Sequence, residues 1–211
     1  MEHRDLPASL RIGSTPAAPD WRAGLPSVEI AGPAATLREI LPGDAPSLLE
    51  HLGSVDVSRF IEPPPSVEAF DRYILRAHLE RQVGRYACFV VVPRDLGEAV
   101  GLFQLRPLDA GFETAEWGFA LGAGYWGSGL FLPCARQVAA FAFTTIGVYR
   151  LEARAAVANA RCNGALRKLG AVQEGVLRSS CRLNGIAADE YMWSLLHDDW
   201  HRVRDHRSQV H

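Results

Sequence analysis

Large apolar residues alternate with small or charged ones over residues 115–121. The apolar set is Trp117, Phe119 and Leu121, and the other set is Glu116, Gly118 and Ala120. This period of two predicts a strand. Four glycines follow within residues 122–129, and the apolar spacing beyond them predicts a packed helix.

The glycine-rich turn between this strand and this helix is the first candidate for chemistry. Its backbone N–H groups can point into one concavity at a helix N-terminus, where an anion, usually a phosphate, binds. An ordinary strand-to-helix turn explains the same residues equally well, because Gly-x-Gly is a weak signal on its own.

Further strands and helices are predicted on both sides of the turn. Before it, the pattern indicates strands over residues 36–41, 86–92 and 99–106, and helices over residues 42–52 and 67–83, the second capped by Ser66. After it, the pattern indicates a strand over residues 150–157, a helix over residues 159–170, and a hairpin between residues 173–178 and 190–196.

The ends of the chain differ from this pattern. Residues 1–30 contain four prolines among small residues and show no period, which predicts a tail or an arm over the domain. Trp21 is the residue of this segment that can dock. One domain is expected over residues 31–205, followed by a tail over residues 206–211.

Composition narrows the class of protein. The net charge of −2 gives no electrostatic footprint for nucleic acid. No apolar run approaches the roughly 18 residues of a membrane span, and the first residues do not resemble a signal peptide. The four cysteines lack a paired metal spacing, so no metal is expected, and free thiols in a reducing cytoplasm are predicted.

Four motifs in order resemble the GNAT superfamily of acetyl-CoA-dependent N-acetyltransferases. They are Tyr-Trp-Gly-Ser-Gly at residues 125–129, Asn159 with Cys162 three residues later, Lys-Leu-Gly at 168–170, and Glu-Gly at 174–175 before the final strand. The resemblance is strongest to the branch of ribosomal-protein N-terminal (alanine or serine) acetyltransferases. It implies an α+β fold with helices on both faces of a mixed, mostly antiparallel sheet. Six or seven strands are expected, splayed between the fourth (residues 115–121) and the fifth (residues 150–157).

The resemblance also implies where acetyl-CoA binds. The backbone N–H groups of the turn would hold the pyrophosphate, and this turn comprises Trp126, Gly127, Ser128, Gly129, Leu130 and Phe131. Phe131 is larger than the family's usual residue at that position. The backbone of Phe119, Ala120 and Leu121 would pair with pantetheine, although their side chains also suit core packing. Asn159 would contact the cofactor or, equally well, cap the next helix.

Two residues are candidates for catalysis. Glu116 matches the branch's glutamate and would deprotonate the amine, directly or through a water, because a protonated amine has no lone pair to attack with. A carboxylate that only satisfies an arginine on the sheet is the alternative. Cys162 stands where the branch has serine and would protonate the departing thiolate, with a pKa lowered by the helix N-terminus. Packing with Leu166 and Leu169 on one helical face is the alternative for this thiol.

The implied function is transfer of an acetyl group to a primary amine, either a protein N-terminus or a small molecule. The loop at residues 59–66 and the segment at residues 182–189 are the expected specificity elements. The alternative is a CoA-binding regulatory or interaction module with reduced chemistry. The sequence leaves a homodimer and the identity of the amine open.

Overall fold

In the computed structural model, which describes residues 20–32, 34–183 and 185–200, eight strands form one mixed sheet. The strands are β1 (Val28–Ile30), β2 (Ala35–Glu39), β3 (Ala87–Pro93), β4 (Gly101–Pro107), β5 (Thr114–Leu121), β6 (Arg150–Ala156), β7 (Val172–Leu183) and β8 (Ile186–Leu196). The helices are α1 (Ala45–Leu52), α2 (Val55–Ser58), α3 (Val67–Gln82), α4 (Phe131–Phe141) and α5 (Ala160–Leu169). The strand order across the sheet is β1-β2-β3-β4-β5-β6-β8-β7.

The pairing of β5 with β6 is parallel, whereas the other neighbouring strands pair antiparallel. This parallel ladder covers only residues 114–116 of β5 and 150–152 of β6. The rest of β5 continues beside β4 alone. The two strands therefore part after Glu116, as expected for the predicted fourth and fifth strands.

The mixed α+β sheet is confirmed, but it has more strands than the six or seven expected. The short strand β1 lies inside the segment predicted as an arm and pairs with β2. Three residues are too few to show a period, which is why the pattern missed this strand. Trp21 is buried, with its ring 6.0 Å from that of Phe112 and 6.3 Å from that of Phe141. Residues 1–19 and 201–211 lie outside the described residues.

Two apolar cores cover the two faces of the sheet. One lies against α4 and α5 and includes Trp117, Val138 and Leu166. The other lies against α1 and α3 and includes Leu48 and Phe70. Side chains alternate along a strand, so successive residues of β5 contribute to opposite cores.

The helix boundaries follow local rules. Ser66 caps α3, since its Oγ accepts a hydrogen bond from the Ala69 N–H at 3.2 Å. Gly170 ends α5 in the left-handed region at φ 102°, a conformation that suits glycine. None of the helices that the structure describes is long and apolar enough to cross a membrane.

Candidate functional site

A cleft of about 550 Å³ opens where β5 and β6 part. Its lining comes from both layers of the domain, with Phe131 and Cys162 from the α4–α5 side and Val57 and Ile61 from the α1–α3 side. Trp126 packs against both cores. The cleft therefore reaches from one face of the sheet to the other.

Most of the residues predicted for the site meet in this cleft. The ones that line it are Phe119, Ala120, Leu121, Trp126, Gly127, Gly129, Phe131, Asn159 and Cys162. Ser128, Leu130 and Glu116 are not in the lining. The charged side chains in the described lining are Arg161 and Lys168, and none is an aspartate or glutamate.

The edge of β5 offers the cleft fewer main-chain groups than expected. The Gly122 N–H bonds to the Val100 carbonyl, and the Leu108 N–H bonds to the Thr114 carbonyl. The main-chain N–H and C=O groups of the even-numbered residues of β5 therefore point toward β4. By the alternation of an antiparallel ladder, Ala120 uses its main chain on β4, whereas Phe119 and Leu121 face the gap. Ala120 is thus unsuited to the predicted main-chain contact with pantetheine, because its N–H and C=O are already paired.

The glycine turn, residues 126–131, has the backbone of an anion cradle. Gly127 and Gly129 lie in the left-handed region at φ 78° and 87°, and a Cβ added to either would meet nothing within 4 Å. The Ser128 N–H is donated to the Tyr125 carbonyl at 3.3 Å, and the Leu130 N–H to Ser128 Oγ at 3.4 Å. The N–H groups of Gly127, Gly129 and Phe131 are therefore the better donors for a phosphate. The turn suits the pyrophosphate of CoA, because it combines open space with N–H donors at the start of α4. Two cations, Arg161 and Lys168, line the same cleft.

Phe131 packs beneath this turn. Its ring centroid lies 4.8 Å from that of Phe119 and 5.6 Å from that of Phe103. The large side chain is thus part of the aromatic packing under the cleft.

Trp126 connects the glycine turn to both neighbouring elements. Its indole Nε1–H donates to the Leu121 carbonyl at 2.8 Å, which holds the turn against the end of β5. The Arg161 guanidinium lies over the same ring, with Cζ 3.6 Å from the centroid. Sequence reasoning missed Arg161. The available signal was its place in the first turn of α5, two residues after Asn159.

Asn159 caps α5, since its Oδ1 accepts a hydrogen bond from the Cys162 N–H at 3.0 Å. The capping alternative is therefore realised, and Asn159 lines the cleft as well. The expectation that the helix N-terminus lowers the pKa of Cys162 is wrong, because burial raises the pKa of this thiol to about 12. At neutral pH the thiol stays protonated.

Glu116 forms an ion pair with Arg106, its cross-strand neighbour on β4, with 2.5 Å between Oε2 and Nη2. The arginine alternative is thus present in the structure. The Glu116 side chain is 20% exposed and stands on the strand face that Gly118 and Ala120 share. A catalytic role for Glu116 stays a prediction.

A partly buried polar cluster, which sequence reasoning missed, lies on the same side of the sheet. The Tyr73 hydroxyl donates to Gln104 Oε1 at 3.1 Å, and the Tyr86 hydroxyl donates to the same oxygen. Burial raises the pKa of both tyrosines. The Gln104 amide Nε2 reaches Gly118, since a Cβ there would meet it at 2.7 Å. These residues come from four separated segments, so no spacing along the chain indicates them.

No group of three or more His, Cys, Asp or Glu side chains that could hold a metal ion occurs within the described part of the chain. The cysteines described are all free thiols.

Comparison with known proteins gives one family. Residues 35–172 match the family described as the acetyltransferase (GNAT) domain. An uncharacterized N-acetyltransferase of Bacillus licheniformis is 26% identical over 166 residues, which cover 76% of this chain and 92% of that protein.

Two solved structures share the fold. The ribosomal-protein-S5-alanine acetyltransferase of Vibrio fischeri has a TM-score of 0.74 at 21% identity, covering 83% of this chain and 98% of its own. RimJ of Mycobacterium smegmatis, solved in complex with CoA-disulfide, has a TM-score of 0.75 at 17% identity, covering 88% and 95%.

Proposed function

The chain belongs to the GNAT family of acetyltransferases, and we propose that it transfers an acetyl group from acetyl-CoA to a primary amine by direct attack. The observation that carries this proposal is the cleft between β5 and β6, which holds an anion cradle and reaches both faces of the sheet. Such a cleft lets cofactor and acceptor approach from opposite sides and meet between the two strands. The acceptor is either a protein N-terminus or a small amine, and the name of the Vibrio fischeri relative gives a ribosomal protein as that enzyme's substrate.

The residues of the cleft have distinct tasks toward acetyl-CoA. The N–H groups of Gly127, Gly129 and Phe131 would hold the pyrophosphate, and Arg161 and Lys168 would neutralise phosphate charge. Phe119 would offer its main-chain N–H and C=O to the pantetheine amides, and Leu121 would offer its N–H, because the Leu121 carbonyl already accepts the Trp126 indole N–H. The cofactor itself supplies the activated acetyl group as a thioester.

The chain's own chemistry would be proton removal and charge stabilisation. We assign Glu116 as the base that takes the proton of the amine, directly or through a water. A backbone N–H of β5 facing the gap would stabilise the negative charge that develops on the thioester oxygen. Cys162 as the proton donor is supported less well, because its raised pKa makes proton release costly.

The decisive experiment measures thiol release from acetyl-CoA with a mixed pool of primary amines. We expect turnover by the wild type. Glu116→Gln should lower kcat by about 100-fold or more, because general base catalysis typically contributes at least that factor to the rate. Glu113→Gln is the matched control, because Glu113 is exposed and lies just before the same strand. Equal losses in both variants would contradict the assignment of Glu116.

A second candidate function is a CoA-binding module without chemistry. Two observations favour it: no carboxylate belongs to the described lining of the cleft, and the pKa of Cys162 is high. Thermal unfolding with acetyl-CoA tests binding, which both functions require, since a ligand at about 100 times its Kd adds roughly 2.7 kcal/mol of stability; thiol release separates them. Stabilisation by acetyl-CoA without thiol release on any amine would support the module.

A further inference from the structure

The end of the cleft on the α1–α3 side is apolar. Val57, Phe60 and Ile61 line it and form what we term the α2 wall. Val57 is buried in the core against α1 and α3, and Ile61 packs on that core. The glycine turn and Arg161 belong to the other end, so the α2 wall is the side from which an acceptor would arrive.

The α2 wall is held in place from both directions. On the N-terminal side, the wall is anchored by the side chain of Val57, which is buried and belongs to α2. On the other side Pro63, Pro64 and Pro65 follow, and the Ser66 cap fixes the start of α3. Three successive prolines restrict their own φ and keep each preceding residue extended. The wall therefore presents a preformed surface that an acceptor meets without a large ordering cost.

Charge in the cleft has one sign. Arg161 and Lys168 are the charged residues of its described lining, and no carboxylate balances them. In the proposed reaction Glu116 serves the reacting amine, so an acceptor that carries a second ammonium group would leave that second charge unpaired beside the apolar α2 wall. Burial of an unpaired charge is costly, so such an acceptor is disfavoured.

We propose that the acceptor is a monoamine whose amino group is attached to an apolar alkyl or aryl body that packs on the α2 wall. Polyamines and other dicationic amines are excluded by charge. This inference rests on the proposed acetyl transfer and adds the chemical class of its acceptor.

A matched pair of amines tests the class of acceptor. Hexylamine and 1,6-diaminohexane have the same chain length and differ in the second amino group. Thiol release from acetyl-CoA is measured with each over a range of concentrations. We expect kcat/KM to be about tenfold or more higher for hexylamine, because the diamine must desolvate a second charge without a partner.

A variant of the wall tests the same point from the protein side. Ile61→Glu introduces the missing carboxylate, so we expect the preference to fall to about one or to reverse in favour of the diamine. Val55→Glu is the control, because Val55 lies on the same short helix, is 83% exposed and does not line the cleft. We expect it to keep the wild-type preference within about twofold.

The outcomes separate the two proposals. Equal or better use of 1,6-diaminohexane by the wild type would overturn the acceptor class and leave acetyl transfer standing. Thiol release with none of the amines, while acetyl-CoA still raises the unfolding temperature, would overturn the transfer and the acceptor class with it. Failure of Ile61→Glu to fold would not affect the wild-type comparison.

Discussion

The guanidinium of Arg161 lies 3.6 Å from the centroid of the indole of Trp126, the first residue of the glycine turn. Arg161 belongs to the first turn of α5, whereas Trp126 opens the turn that leads into α4. The stack therefore joins the two helices that border the cofactor side of the cleft. It also holds a cation beside the N–H groups proposed for the pyrophosphate.

Arg161→Ala should weaken acetyl-CoA binding. The variant loses a cation next to the anion cradle, and we expect a Kd about three- to tenfold higher by calorimetry. Stability should change by only about 0.5–1 kcal/mol, since the stack is partly exposed. Arg85→Ala removes the same charge from an exposed site outside the cleft and should leave Kd unchanged. A difference in Kd that persists at high salt would argue against an electrostatic role.

The glycine turn offers a matched pair of substitutions. Gly129→Ala places a Cβ in open space but at φ 87°, so its cost is conformational, about 1–2 kcal/mol of unfolding free energy. Gly124→Ala also meets open space and lies outside the positive-φ set, so it should be close to neutral. Chemical unfolding measures the first effect, and calorimetry with acetyl-CoA should show weaker binding for Gly129→Ala alone. Similar behaviour of the two variants would contradict the cradle geometry.

Cys162 should react slowly with thiol reagents. Because burial raises its pKa to about 12, the alkylation rate should rise about tenfold per pH unit from pH 7 to 9 without a plateau. For an ordinary thiol such as glutathione, with a pKa near 8.5, the rise in rate slows as pH passes this value, and this thiol serves as the control. Mass spectrometry of the Cys162 peptide gives the rate. A plateau below pH 9 would mean that the thiol is far more acidic than its surroundings imply.

The same pKa predicts a small catalytic effect of Cys162. A donor with a pKa of about 12 gives its proton uphill to a thiolate with a pKa near 8.5. We therefore expect Cys162→Ala to lower kcat by less than about tenfold. A larger loss in Cys162→Ala that Cys162→Ser restores would instead support the predicted role as the acid.

Acid should weaken the link between β6 and β7. Arg150 on β6 bonds Glu174 on β7 through two nitrogens, Ser194 donates to the same carboxylate at 2.7 Å, and these contacts lower the pKa of Glu174 to about 2. A lowered folded-state pKa stabilises the protein fully above the usual value near 4.5, and this stability is lost as pH falls toward 2. Solvent screening limits the contribution to about 1 kcal/mol, since the carboxylate is 39% exposed.

Glu174→Gln tests this contribution. Urea unfolding from pH 2 to 7 should show a smaller loss of stability between pH 4.5 and 2 than the wild type shows. Glu98→Gln changes an exposed glutamate and should leave the pH profile unaltered. A wild-type profile in Glu174→Gln would mean that the ion pair does not persist in solution.

Local signals predicted most of the elements of this fold. The alternation of Trp117, Phe119 and Leu121 gave β5, and Ser66 marked the start of α3, because each signal depends on residues a few positions apart. The strand β1 escaped prediction, since its three residues form a strand only by pairing with β2. The burial of Trp21 likewise depends on Phe112 and Phe141, which are distant in sequence.

Some features of the candidate site could likewise be predicted from local sequence, whereas others depend on contacts between distant segments. The glycine turn and the family could be predicted from the sequence, and the Asn159 cap was one of two alternatives it offered, because these features depend on short motifs and on local backbone rules. Three features became visible only in three dimensions: the pairing of the Ala120 main chain with β4, the stacking of Arg161 on Trp126, and the raised pKa of Cys162. Each of these properties arises from groups brought together across the sheet, and burial and pairing between distant segments leave no pattern along the chain.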